Sequence, residues 1–249
     1  MQQVQLCRND MKEHLDPEKW RGSDPHPGLL LTHGLTRGGE GTEGEKQEHI
    51  RKIAELKPSG LYEQSFSRWQ NATNGKGFAT MTATLAGRLY IGVARDNALQ
   101  TGITTSHTYG MPMIPGSACK GLARAVARKW QMDKNAHAEF VWTFGTDDDV
   151  NPEAGGLIFH DAWWVPKGKP FVLETITVHH QEYYSHEGKT EATDFDSPIP
   201  APQIATRGEF YFVVEGPEAW VRVGLNLLGN GLREMGIGAK NSSGYGFFL

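Results

Sequence analysis

The sequence predicts an α+β fold of the ferredoxin-like kind, the split βαβ arrangement, with a long N-terminal extension and insertions. Three observations predict it. A β-rich run, Phe78 to Val93, precedes a helix with one apolar face, Ser117 to Trp130. Two further β-rich stretches follow, Gly156 to Val165 and Arg207 to Val214. A second amphipathic helix, Val221 to Met235, then leads into a short apolar terminal segment, Gly244 to Leu249. The order is strand, helix, strand, strand, helix, strand.

Residues 1–60 form the extension and 61–249 the domain. The extension is polar and poorly periodic. Gly28-Leu29-Leu30-Leu31 is a short apolar run, and Arg37 with its glycines reads as a surface loop. Thr42 to Leu56 is charged and helical in pattern, with Ile50, Ile53, Ala54 and Leu56 on one side. Phe78 to Val93 is rich in Thr, Tyr and apolar residues and reads as one long strand. A polar loop, Asn97 to Gly110, carries His107.

Pro115-Gly116 is a turn signal, and Ser117 is suited to cap the helix that follows. Ala118, Leu122, Ala125, Val126 and Trp130 form its apolar side. Lys120, Arg124 and Arg128 recur every fourth residue opposite them. Free N–H groups and the positive dipole end at the helix start suit an anion such as phosphate. Such a basic stripe is also what a solvated helix face looks like.

Beyond it, Phe140 to Gly145 is an apolar cluster, and Asp147-Asp148-Asp149 reads as a solvated acidic turn. It lacks the alternating ligands and glycine of a calcium loop. Asp161, Trp163 and Trp164 end the next strand, and Phe171 to Val178 is β-rich. Residues 179–206 read as an extended, loop-like insertion. It holds His179, His180, His186, Asp194 and Asp196, whose spacing is not that of a helical zinc motif. Pro217 and Glu218 open the last helix as N-terminal residues should. Val221, Leu225, Leu228, Leu232 and Met235 give its stripe, and Gly236 is its natural stop. A glycine-rich loop with Gly238, Lys240, Asn241, Ser242 and Ser243 follows.

Composition narrows the class. The 249 residues include 30 glycines and 13 prolines, which favours loops and turns over long helices. The mean hydropathy of -0.49 points the same way. A net charge of -4 and a pI near 6.2 argue against a chain that binds naked nucleic acid alone, but leave room for a local basic groove and suit a subunit of a larger ribonucleoprotein. Cys7 and Cys119 make neither a disulfide framework nor a zinc spacing, and the natural expectation is a reducing cytoplasm. No secretory signal and no membrane-spanning run is expected.

Ile114-Pro115-Gly116-Ser117-x-x-Lys120-Gly121 before a helix, Asp161-Ala162 ending a strand, and the terminal Gly236-x-Gly238-x(5)-Gly244-Tyr245-Gly246 loop occur in that order. Together they resemble the RAMP superfamily of CRISPR RNA-binding proteins. His179-His180-x-Glu182-Tyr183-Tyr184 with Asp194-Phe195-Asp196-Ser197-Pro198 is similar to a segment of the sixth-subunit family of the type III-B effector, the Cmr complex. The resemblance implies an RRM-like fold and a non-catalytic subunit that holds the guide crRNA near its 3′ end. The expected partners are guide crRNA, target RNA and other RAMP subunits, with no membrane, cofactor or metal. Gly116, Ser117, Lys120 and Arg124 would touch one part of the RNA backbone; Gly238, Lys240, Asn241 and Ser242 would touch it from the loop. The rival expectation is a RAMP endoribonuclease that processes CRISPR RNA, with His33, His107 or His179 as general base, or one that cuts target RNA with a loop aspartate. A third is a scaffold that touches only protein.

Overall fold

The computed structural model describes residues 4–5, 24–38, 43–93, 99, 101–146, 152–178 and 199–249. The Asp147–Asp149 turn and the His179–Asp196 group lie outside them. In chain order the elements are β1 (Val4–Gln5), α1 (Pro27–His33), β2 (Arg37–Gly38), α2 (Glu43–Ala54), α3 (Gly60–Ala72), β3 (Phe78–Thr84) and β4 (Met113–Ile114). They continue with α4 (Gly116–Lys129), α5 (Met132–Asn135), α6 (His137–Phe144), β5 (Ile158–Phe159), β6 (Ala162–Trp164) and β7 (Phe171–Val178). β8 (Ile199–Thr206), β9 (Glu209–Glu215) and α7 (Glu218–Glu234) complete the set, with a 3-10 turn at Asn241–Ser243.

The main sheet is antiparallel, in the order β3, β9, β6, β4, with β5 also on β9. The C-terminal residues extend it beyond β3: Phe248 pairs with Leu85, and Leu249 N–H donates to Thr84 O at 2.9 Å. The terminal segment, β3, β9 and the β5–β6 strand thus stand side by side, the 4-1-3-2 order of a split βαβ domain. This is the ferredoxin-like architecture expected from the sequence.

β9 is the middle of the packing. Phe210, Phe212 and Val214 join the buried cluster that contains Cys119, Ala123 and Val126 of α4 and Val221, Leu228 and Leu232 of α7. Tyr211 and Val213 point the other way, into a second cluster with Phe66 of α3 and Val165. A strand buried on both faces reads as a continuous apolar run, as β9 does. The α3 helix, to which the sequence reading assigned no element, is pinned to the sheet: Tyr62 Oη donates to Trp164 O at 2.6 Å, and Thr73 Oγ1 meets Tyr211 Oη at 2.8 Å.

The predicted long strand ends early. β3 stops at Thr84, and the chain leaves the ladder at Ala86 and Gly87. Leu89 and Tyr90 then pair sideways with Thr206 and Ala239. Of the expected 179–206 insertion, 199–206 is β8, a full antiparallel partner of β7. α2 packs on this hairpin, with Ile50, Ile53, Phe171 and Ile204 in one buried cluster and Lys169 paired with Glu55. The Gly28–Leu31 run is the body of helix α1, and Phe140–Gly145 is the end of helix α6.

His49 is buried at the contact of α1 and α2, its Nε2 2.9 Å from Leu30 O. Burial, the larger effect, holds its pKa below the ordinary 6.5, and Lys52 lowers it further, against the pull of the Leu30 carbonyl. The unfolded chain therefore takes up a proton at His49 before the folded one does. Stability should be unaffected by this group above about pH 6.5 and fall as the pH drops below it. Urea unfolding between pH 7.5 and 5.5 should show that fall, and His49→Gln should flatten it.

Candidate nucleic-acid interface

α4 starts differently from the sequence expectation. Pro115, not Ser117, holds the cap position, and no cap side chain of its own bonds the first turn. Asp161 does so from a neighbouring strand: Gly116 N–H donates to Asp161 Oδ1 at 2.7 Å. A β-bulge aims it. From Phe159–Val214 to Trp163–Tyr211 the β5–β6 strand advances four residues while β9 retreats three. The extra residue turns Asp161 towards the helix. The carboxylate thus already occupies the positive end of the helix dipole. Gly116 is buried, and a side chain there would collide with the Phe159 carbonyl oxygen. Its smallness serves strand packing. Burial, followed by the nearby Asp161 charge, pushes the Cys119 thiol up.

The faces of α4 are also turned. Cys119, Ala123, Val126 and Ala127 are buried, whereas Trp130, expected on the apolar side, is 48% exposed. Ser117 is exposed and Lys120 half-buried. Arg124 and Arg128 lie over the Phe140 ring of α6, at 5.6 and 5.8 Å from its centre. Phe140 is thus one shared partner of two residues of the basic stripe.

The glycine-rich loop matches its sequence reading more closely. Met235 caps α7, and Gly236, at φ 70, carries the chain out through a bond to Gly231 O. The loop is sewn to the chain beyond β3: Ala239 N–H donates to Tyr90 O at 2.8 Å and Gly246 N–H to Arg88 O at 2.8 Å. Gly238 has no room for a side chain against the Tyr90 carbonyl. Asn241 Nδ2 donates to Tyr245 O at 3.1 Å, closing the loop on itself. Lys240 takes φ 61. Its Nζ lies 5.7 Å from the centre of the Tyr90 ring, which packs on Tyr245 at 4.8 Å. Ser242 is exposed. Arg88, beside them, is paired to Glu174 at 2.8 Å. Burial first, and then Tyr245, pushes the Tyr90 hydroxyl up.

The two predicted groups do not converge on one cradle. α4 and α7 meet through Leu122 against Gly231 and the Lys129–Glu234 pair at 2.8 Å, so the loop after α7 follows the C-terminal half of α4. Gly116 lies about 20 Å along the helix from Lys129, at 1.5 Å per residue.

His33 and His107 are exposed, and His179 lies outside the described residues. The sequence reading missed a better oriented imidazole. His160 Nε2 is 2.7 Å from Glu215 Oε2, and Trp69 packs edge-on against the ring at 5.2 Å. No spacing rule links residues on two strands. Tyr90 was equally hidden, inside an apparently uniform strand. Among the described residues no group of three or more His, Cys, Asp or Glu is placed to hold a metal ion, and no helix is long and apolar enough to cross a membrane.

The model of the RAMP superfamily matches residues 82–248, which contain both α4 and the loop. Among solved structures, a chain of the type III-B Cmr-beta complex bound to cognate target RNA is 22% identical, with a TM-score of 0.62 over 82% of this chain and 70% of that one. Cmr6 from Pyrococcus furiosus is 23% identical over 69% of this chain and 97% of its own, with a TM-score of 0.45. A chain of a CRISPR RNA-guided surveillance complex is 13% identical over 69% and 66%, with a TM-score of 0.41. The first of these shows a shared fold. The comparison with curated proteins finds no match.

Removing the borrowed cap should weaken α4 without emptying the core. Asp161→Ala should cost about 1 kcal/mol, the usual worth of an N-cap. Denaturant titration should read it as a lower midpoint with an unchanged slope.

Proposed function

This chain belongs to the RAMP superfamily, and on that premise we propose that it is a non-catalytic guide-RNA-binding subunit of a type III-B CRISPR effector, placed near the 3′ end of the guide. The observation that carries the reading is the glycine-rich loop. It holds Lys240 in a left-handed conformation over the ring of Tyr90, which packs on Tyr245, within the span the family model matches. A cation on a rigid loop beside aromatic rings is the combination that tracks a single-stranded backbone without reading its sequence. Gly238 and Ser242 bring main chain close to the RNA, and Asn241 keeps the loop closed.

Ser117, Lys120 and Arg124 make a second contact further along the same RNA. Gly116 acts there through the shape it allows, since its N–H is already given to Asp161. Sequence is read by guide–target pairing, so positioning of phosphates is all this subunit needs to supply. The negative net charge fits a subunit whose basic groove is local and whose other faces meet RAMP neighbours. Its place of work is the cytoplasm, in antiviral defence.

The endoribonuclease reading keeps one supporting observation, the His160–Glu215 pair, in which a carboxylate orients an imidazole. If this pair cut RNA, His160→Ala would lower the cleavage rate of the assembled effector by orders of magnitude. On the reading proposed here the rate should stay nearly unchanged, as it should for His33→Ala, His107→Ala and His179→Ala.

The direct test is charge reversal. Lys240→Glu should weaken guide binding by the reconstituted complex and lower the salt slope of log affinity by about 0.7, the share of one phosphate on a single strand. Lys120→Glu should act in the same sense. Filter binding across a salt series measures both, with circular dichroism as the folding control. If Lys240→Glu folds and binds with unchanged affinity and slope, the loop is not a phosphate site.

A further inference from the structure

A second recess lies away from α4 and the glycine-rich loop, where the approach to α1, the start of α3 and the 101–111 segment meet. It is a cavity of about 170 Å³, with Asp24, Pro25, Ser59, Leu61, Thr108 and Tyr109 among its lining. We propose that it holds one unpaired nucleobase, with guanine preferred. The inference rests on the RNA-binding reading above and adds a base-recognising site to it.

The walls are fixed before any ligand arrives. His26 accepts from Leu29 N–H through Nδ1 at 3.1 Å, so its Nε2 carries the hydrogen and donates to His107 O at 3.0 Å. That bond ties the start of α1 to the 101–111 segment. Behind it Gly28 and Gly110 pack main chain on main chain, with no room for a side chain at either. Tyr109 packs on one side against both Tyr62, at 5.6 Å and 62°, and Trp163, at 5.7 Å and 52°, which are themselves stacked at 5.8 Å. A ring held this way loses little freedom when a base stacks on it.

The polar groups choose the ligand. Among the described lining residues there is no lysine or arginine, so the recess suits a neutral ring and not a phosphate. Asp24 is an acceptor only. Ser59 Oγ already accepts from Tyr62 N–H at 3.2 Å, which leaves its hydroxyl hydrogen to donate outward. Thr108 can do either. Guanine presents two adjacent N–H donors, which suit a carboxylate, beside a carbonyl that suits a hydroxyl donor. Uracil presents one N–H between two carbonyls, which a carboxylate repels. Adenine and cytosine fall between. The volume admits one ring system and excludes a length of polymer.

The test compares the full chain binding UUUGUUU and UUUUUUU by fluorescence anisotropy, together with photolabelling by 8-azidoguanosine monophosphate. The guanine-containing strand should bind about tenfold tighter, within the range of one good base contact. Asp24→Ala should reduce that ratio to near one and leave binding of UUUUUUU unchanged. Leu61→Trp, at a position 59% exposed on α3, fills the mouth of the recess and should do the same. The azide should label peptides containing Asp24 to Pro27 or Thr108 to Met111. Equal affinities in the unaltered chain, a full ratio in both variants, or labelling elsewhere would overturn the proposal. Loss of UUUUUUU binding by Lys240→Glu reports on the loop alone, so the two readings fail separately. If neither strand binds, the labelling decides.

Discussion

Burial of β9 on both faces is the constraint from which the rest of the molecule follows. Its alternate side chains feed two cores, Phe210, Phe212 and Val214 under α4 and α7, and Tyr211 and Val213 under α3. A strand this apolar cannot leave either face to water, since each large side chain exposed would forfeit about 1.5–3 kcal/mol. The α3 helix is therefore a structural necessity of this sheet. It also closes the face on which an open sheet of this topology could stack bases. On the reading proposed above, what remains for RNA is the rim: loops, helix flanks and the recess where α1, α3 and the 101–111 segment meet.

The rim owes its shape to backbone devices more than to charge. One bulge in the β5–β6 strand sends Asp161 to the start of α4 and satisfies a donor that would otherwise invite an anion. At the other end of the helix pair, glycines with positive φ fold the loop after α7 tightly onto Tyr90 and Arg88. Lys240 is thereby carried on a rigid mount. The same chain thus fills the start of α4 with its own carboxylate and, after α7, sets a cation over the ring of Tyr90. A net negative protein can hold a polyanion under these conditions, because the field that matters is the one at the mount.

Aromatic residues join these parts. Tyr62, Tyr109, Trp163 and Trp69 form a chain of ring contacts from the recess at the start of α3 to the His160–Glu215 pair. Trp163 touches three of the other rings. A base seated on Tyr109 would rest on a ring already supported by the sheet, so its contact energy would not be spent on ordering the protein.

The sequence by itself determined the order of the core strands and of the two helices α4 and α7, the span of α2, the stop of α7 at Gly236 and the glycine-rich loop. Each is a local matter: periodicity, a left-handed glycine or a turn signal acts within a few residues of itself. Only the tertiary structure decided which carboxylate caps α4, because Asp161 and Gly116 stand 45 residues apart and meet through a bulge. It decided as well that Arg124 and Arg128 share Phe140, that the strand begun at Phe78 breaks off at Thr84, and that α3 covers the sheet. The basic stripe of α4 was plain in its spacing, but a spacing cannot say whether an aromatic ring of another helix lies across it. The recess was equally beyond reach, since Asp24, Ser59 and Tyr109 share a wall only once three separate segments have packed.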